Sequence, residues 1–222
     1  MCGRFTLFTD LDVLIDQFNL FNSGEIQYQP RYNIAPSQPI LSVINDGKNN
    51  RAGFLRWGLV PSFAKDKSIG YKMINARAET IDEKPTFKRL LARRRCLIIA
   101  DSFYEWRRDE GKKTPMRIHM LNNDPFALAG LWDRWESPDG EEITSCTIIT
   151  TKPNDLMKDI HDRMPVILSK EDEGMWLDRS VNDKQVLKQL LVPYDAEKME
   201  AYEVSNVVNS PRNEMKECIR EV

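Results

Sequence analysis

Residues 95–120 read RCLIIADSFYEWRRDEGKKTPMRIHM, and this stretch decides the fold class. RCLIIA (95–100), SFYEWRR (102–108) and TPMRIHM (114–120) are short runs rich in branched and aromatic side chains. Such runs, bounded by polar clusters, read as strands. FALAGLWDRWE (126–136) and EEITSCTIIT (141–150) continue the pattern, which makes five strand-like segments in succession. DEGKK (109–113) and SPDG (137–140) carry the turn chemistry between two of the pairs.

Working outward, PILSVIND (39–46) and RAGFLRWG (51–58) predict two further strands about an Asp46-Gly47 turn. Between residues 29 and 39, QPRYNIAPSQP contains three prolines and predicts irregular backbone. WGLVPSFAKDK (57–67) reads as a loop. TDLDVLIDQFNL (9–20) predicts an amphipathic helix capped by Thr9 or Asp10. IDEKPTFKRLLARR (81–94) predicts a helix that starts near Asp82. Beyond residue 151 come a short helix in NDLMKDI (154–160), a strand in RMPVIL (163–168) and helices in SKEDEGMWLD (169–178) and NDKQVLKQLL (182–191). MEAYEVS (199–205) is a last strand before a polar tail. No repeat, low-complexity tract or linker interrupts the chain. The expectation is one α+β domain over residues 1–222, with a mostly antiparallel sheet or barrel-like core and several short helices.

The 222 residues suffice for a sizeable core, and 41% apolar with 30% charged residues is an ordinary globular composition. No apolar run is long enough to span a membrane and no leader pattern opens the chain, so a cytoplasmic protein without membrane association is expected. Charge is unevenly divided. Residues 1–134 carry a balance of +6 and residues 135–222 one of −8. That division permits a polyanion surface on a mildly acidic protein, and a solvated charged face explains it equally well.

The four cysteines, Cys2, Cys96, Cys146 and Cys218, have no metal-site spacing. Cys96 and Cys146 lie in strand-like runs and read as small buried apolar groups. Cys2 differs by position. Removal of Met1 would leave an α-amine and a thiol on adjacent carbons. A 1,2-aminothiol condenses with an aldehyde: the amine forms a Schiff base and the thiol closes on the imine carbon, giving a thiazolidine. An α-amine has a pKa near ~8, so part of it is neutral at pH 7. Many chains begin Met-Cys without using it.

Of the two histidines, His119 sits in a strand-like run and reads as structural, whereas His161 lies at a helix–strand junction where reactive groups are often presented. Glu105 lies between Tyr104 and Trp106; alternation places it on the Phe103 face. There it is a surface carboxylate or a pocketed one of raised pKa. Arg77 could pair with Glu79, and Arg4 is close to Cys2.

MCGRF (1–5), RYNIAPSQ (31–38), RWGLVP (56–61), INARAET (74–80), DSFYEW (101–106) and IHDRMPVIL (160–168) occur in this order. Together they resemble the SRAP family (SOS response-associated peptidase), in a bacterial or phage-borne form, from residue 2 to about residue 209. The resemblance implies a SRAP fold and a sensor of abasic sites in single-stranded DNA. It implies a covalent thiazolidine crosslink through Cys2 that shields the site, with associated lyase activity and self-removal of Met1. Carried over, Cys2 is the nucleophile, Asn75 positions the amine and opened sugar, Glu105 moves protons, and His161 is an acid/base at the sugar. Arg4, Arg77 and Arg163 would hold phosphates; Trp57, Pro36 and Phe63 would pack against sugars or bases. No cofactor and no metal is implied, and the expected state is a monomer, nucleoid-associated when bound to DNA. Two departures touch DNA grip: Phe63 stands where members often carry tryptophan, and Pro85-Thr86 separates Lys84 from Phe87. Three other readings compete. An N-terminal-nucleophile cysteine amidase or peptidase would use Cys2 on amides, a non-catalytic single-strand binder would tolerate its loss, and a scavenger of small aldehydes would not need the basic half.

Overall fold

The structure, a computed structural model, describes residues 2–21, 24, 26–109 and 111–222. Met1, whose removal the sequence leads one to expect, lies outside the described residues, as does Glu110 of the DEGKK turn. In chain order the elements are β1 (Phe5–Leu7), α1 (Leu11–Phe18), β2 (Arg31–Ile34), β3 (Pro39–Asn45), β4 (Asn50–Trp57), β5 (Asn75–Arg77), α2 (Pro85–Arg93), β6 (Arg95–Ala100), β7 (Ser102–Asp109), β8 (Lys112–Met120), β9 (Phe126–Glu136), β10 (Glu142–Thr151), β11 (Met164–Pro165), β12 (Ile167–Leu168), α3 (Lys170–Leu177), α4 (Lys184–Gln189) and β13 (Met199–Glu203).

Five strands close a ring. β4 pairs β3, β3 pairs β6, β6 pairs β9 and β9 pairs β10, all antiparallel; β10 then returns to β4 in parallel, with Ser145 opposite Arg56 and Cys146 opposite Trp57. Closure removes the exposed edges that an open sheet would leave. The ring encloses Ser42, Ile98, Leu128 and Ile148, all buried, while Leu41, Val43, Leu97, Ile99 and Leu131 point to its outer face, the face of Arg95, which bonds carbonyls of α2 and α3. Cys96 and Cys146 are buried in it, as expected of small apolar groups. A second sheet has the order β13-β8-β7-β1-β2. β6 runs into β7 through Asp101, whose carboxylate accepts from Thr9 N–H (2.9 Å) and Thr9 Oγ1 (2.6 Å) and so fastens the two layers together.

Several expectations need correction. The proline-rich stretch 29–39 is not wholly irregular. Arg31–Ile34 lies between Pro30 and Pro36, keeps all its N–H donors, and pairs as β2 with β1. The helix expected from Asp82 begins only at Pro85, the favoured first-turn site for proline. NDLMKDI forms a 3-10 turn at Met157–Asp159, and RMPVIL is divided into β11 and β12, which join different neighbours. The polar tail is tied down: Tyr104 Oη donates to Cys218 O (3.1 Å), and Cys218 is buried against Tyr104, Val204 and Val208. Among the described residues no helix is long and apolar enough to cross a membrane.

Candidate active site

β10 is the spine of the site. Past the end of its pairing with β4 it takes β5 in parallel, Ile148 opposite Asn75 and Thr150 opposite Arg77. Past the end of β9 it takes β11, Thr150 opposite Pro165. The INAR and HDRMP segments, far apart in sequence, therefore flank the end of one strand and meet across Thr150. The second sheet brings the other half. Phe5 is opposite Phe103 in the β1–β7 pair, and Tyr104 N–H donates to Arg4 O (2.9 Å). Continuing that antiparallel register sets Gly3 across from Glu105 and delivers Cys2 beside it.

Cys2 is fully buried. The Asn75 Nδ2 amide donates to Cys2 O at 2.8 Å, while Asn75 Oδ1 is buried with no hydrogen-bond partner among the described residues. An acceptor in that state, next to Cys2, suits an N–H or O–H donor that arrives with a ligand. Burial, and secondarily the Glu105 charge, pushes the Cys2 thiol well above its usual range, so it is held as S–H rather than thiolate. Glu105 is 3% exposed; burial raises its carboxyl above the usual glutamate range, against the opposing effect of His161. The expected alternation holds: Phe103 faces the main core and Tyr104 the smaller cluster under the tail, where Trp106 also packs.

His161 Nε2 lies 3.9 Å from Glu105 Oε2. Its Nδ1 is 3.0 Å from the Arg163 N–H and 2.8 Å from Asp162 Oδ1. Nδ1 can accept from the amide when the ring is neutral and donate to Asp162 when it is charged. Either contact fixes the ring through Nδ1 and leaves Nε2 turned toward Glu105. A cleft of about 450 Å³ opens here, lined by Glu105, Trp106, Arg108, Lys113, His161 and Asn209.

The ring of expected DNA contacts divides. Arg77 is exposed. Glu79 does not take it as partner; it grips Arg163 in a two-pronged pair (2.6 and 3.0 Å), and Arg163 Nη2 also donates to Thr150 O at 2.6 Å. Arg163 therefore braces the loop carrying His161. Arg4 Nη1 is turned inward to Asn33 Oδ1 (2.7 Å) and Val208 O (2.6 Å), and its guanidinium lies over Trp106. Phe63 is 65% exposed and Pro36 half-buried. Trp57 requires a correction. It is fully buried against Phe5, with no face left for a base or sugar. Its indole N–H donates to Ile74 O at 2.9 Å, one residue before Asn75. Gly58, just after it, has φ +120°, and a Cβ there would sit 2.6 Å from Gly70 O; this close approach packs the loop that leads into Asn75.

Trp57→Phe keeps the ring but leaves the Ile74 carbonyl without its donor. It should lower stability by about 1–3 kcal/mol, read as a lower melting temperature by circular dichroism. An unchanged melting temperature would deny the indole its anchoring role.

The residues that sequence reasoning missed are Asn33, Trp106 and Glu79. Asn33 is buried and donates to Ser210 O and Asn213 O (2.9 and 2.8 Å) while accepting from Arg4. Its place inside RYNIAPSQ was a signal, but nothing local says what it ties together. Among the described residues no group of His, Cys, Asp and Glu side chains could hold a metal.

The profile of the SOS response associated peptidase (SRAP) family matches residues 1–211. The chain belongs to this family. It is 58% identical over 221 residues to the abasic site processing protein YoqW of Bacillus subtilis (strain 168), and equally to that of Bacillus phage SPbeta, with 99% of each chain covered. It is 34% identical over 225 residues to the abasic site processing protein HMCES of Xenopus tropicalis, covering 87% of this chain and 66% of that protein. Among solved structures, a crystal structure of a Bacteroides thetaiotaomicron protein superposes with a TM-score of 0.87 at 27% identity over 100% of both chains. The SRAP membership inferred from the six motifs, and the α+β, barrel-like architecture read from the strand pattern, agree with these likenesses.

Proposed function

We propose that this SRAP protein processes abasic sites in DNA, and that it does so on single strands by covalent capture through Cys2. The observation that carries the reading is the convergence on one residue. Asn75 bonds Cys2 at 2.8 Å, the Glu105 carboxylate acts on its thiol, and His161 stands 3.9 Å behind Glu105. The names of the relatives at 57–58% identity support the substrate class.

The chemistry follows from the groups. Once Met1 is gone, the Cys2 amine adds to the aldehyde of the ring-opened sugar and water leaves, giving an imine. The thiol, kept protonated by burial, does not compete for the aldehyde. It then gives its proton up and its sulfur adds to the imine carbon; a proton returns to nitrogen. The net reaction joins amine, thiol and aldehyde with release of one water. Glu105 is the group placed to shuttle these protons, with His161 as acid/base toward the sugar. Asn75 holds the Cys2 carbonyl so that the amine direction is fixed. Imine formation without ring closure allows β-elimination, which accounts for an associated lyase activity. Self-removal of Met1 would use the same thiol. No organic cofactor or metal enters any step.

The test is denaturing electrophoresis of the protein with a single-stranded oligonucleotide bearing one abasic site, beside an intact one, with the protein's intact mass taken from the same tube. A heat-stable shifted band on the abasic strand alone, with Met1 lost, is the expected result. No band from protein with a free Cys2 would leave an amidase or a simple binder. Arg77→Ala, which removes an exposed cation beside the site, should weaken single-strand binding most at low salt and reduce the log–log salt slope by about 0.7. An unchanged slope, measured by fluorescence anisotropy, would place Arg77 off the DNA.

A further inference from the structure

A second strongly basic feature lies outside this site. Residues 84–95 contain six Lys and Arg and no acidic residue. In the structure they form α2 and the start of β6, with Lys88, Arg89 and Arg93 exposed. At the end of α2 a cleft of about 400 Å³ opens, lined by Arg93, Arg94, Arg95, Trp132, Arg179 and Asp46 among others.

The four arginines arrive from three places: the end of α2, the start of β6 and the chain after α3. A cation at a helix C-terminus complements the helix dipole, which accounts for Arg93 alone. It does not account for Arg179. That guanidinium is brought in from another segment and donates to Asp46 O at 3.0 Å. Arg95 is spoken for: its donors go to Leu91 O at 2.7 Å, Val181 O at 2.9 Å and the carbonyls of Trp176 and Asp178. It holds the wall and leaves its charge there. Arg94 lies over the Trp132 indole with 4.4 Å between guanidinium carbon and ring centre. Asp46, the acidic residue of the lining, is already held by Arg51 at 2.6 Å and by two backbone N–H groups. The cleft therefore gathers repelling cations beside an aromatic ring. That is the arrangement a phosphate-bearing strand relieves, with phosphates on the guanidinia and a base near the indole.

Contacts join the cleft to the loop after Trp57, whose indole anchors the carbonyl just before Asn75. Phe63 projects from the loop after Trp57. Its neighbour Ser62 donates its N–H to Asp133 at 2.9 Å and accepts from Arg89 Nη2 at 3.0 Å. Asp133 also binds Arg89 and adjoins Trp132 in sequence, with Arg94 4.0 Å away. Phe63, Arg89, Arg93, Arg94 and Arg179 thus form one band of an exposed ring and cations.

We infer that this band, ending in the Arg93–Arg94–Arg179 cleft, is a second contact for single-stranded nucleic acid, engaged by the strand flanking a lesion held at Cys2. The inference rests on the DNA reading above. It extends the footprint beyond the nucleotides at the site.

The test compares wild type with Arg93→Gln/Arg179→Gln. Both side chains are exposed, so the fold should survive, and a thermal melt checks it. Anisotropy is measured on strands of about 8 and about 30 nucleotides, each carrying a stable, unreactive abasic analogue. Crosslinking of the short strand is measured with a true abasic site. The double variant should crosslink and bind the short strand as wild type does. It should lose roughly three- to tenfold in affinity for the long strand at low salt, with a salt slope smaller by about 1.4. Equal long-strand affinity and slope in the two proteins would overturn the second contact while leaving the site reading intact. The second contact is overturned likewise if length adds nothing for wild type, and an acidic polypeptide would then be the better occupant. If wild type neither binds nor crosslinks either strand, both readings fall together.

Discussion

Replacing Cys2 by alanine is expected to abolish the heat-stable crosslink to abasic single-stranded DNA while leaving strand binding within about twofold. Without the thiol, self-removal of Met1 is lost, but alanine at position 2 is small enough for a separate methionine aminopeptidase to remove Met1 and present an α-amine, which intact mass checks. The amine can form an imine with the opened sugar, but no sulfur follows it. An imine hydrolyses, and while it lasts it acidifies the neighbouring carbon and invites β-elimination. The Cys2→Ala protein should therefore show no shifted band on a denaturing gel, slow strand cleavage, and a crosslink recovered only when borohydride is added. The buried, protonated state of the wild-type thiol sharpens the contrast, because it assigns the first bond to nitrogen and the stable product to sulfur. An undiminished band with Cys2→Ala would sink the thiazolidine mechanism. Loss of DNA binding in the same variant would instead make Cys2 a packing residue of the site's floor.

Much of the barrel was legible because its strands are long and locally consistent. β3 and β4 meet at a turn-forming Asp46-Gly47 pair, and β6 to β10 each carry a dense run of branched or aromatic residues. Closure was not legible. It depends on Arg56 and Trp57 lying beside Ser145 and Cys146 in parallel, a pairing between segments that share no local signal. β1 and β2 escaped for the opposite reason: three and four residues are too few to show a period. At the site, alternation separated Glu105 from Tyr104, but only the packed β1–β7 pair shows that Glu105 is buried. Trp57 misled because its place in the RWGLVP motif carries no sign of burial, whereas its ring is fully buried and its N–H is needed by Ile74. The Glu79–Arg163 pair joins residues 84 positions apart and had to be seen.

The second large effect is expected at Glu105, and its value lies in separating chemistry from stability. Glu105→Gln keeps shape and one hydrogen-bonding oxygen but cannot exchange a proton. Loss of a positioned acid/base is typically worth about 10²–10⁴ in rate, so crosslinking should slow by at least ~10² while DNA affinity changes little. The pH profile of the residual rate should lose its dependence on the carboxylate. Stability should move the other way. Burial raises the Glu105 carboxyl above its unfolded value, so the folded chain holds this proton more tightly. The wild-type protein therefore has the full benefit below the unfolded pKa and loses it as pH rises through the raised one. Glutamine is neutral throughout and does not incur that loss. The melting temperature of Glu105→Gln relative to wild type should thus climb as pH is raised from about 4 toward neutrality. A slow variant that is also less stable at neutral pH than at pH 4, relative to wild type, would make Glu105 a structural partner of His161. A slow variant that gains stability with pH would mean that the site keeps a buried carboxylate at a standing cost to the fold because the reaction needs its proton.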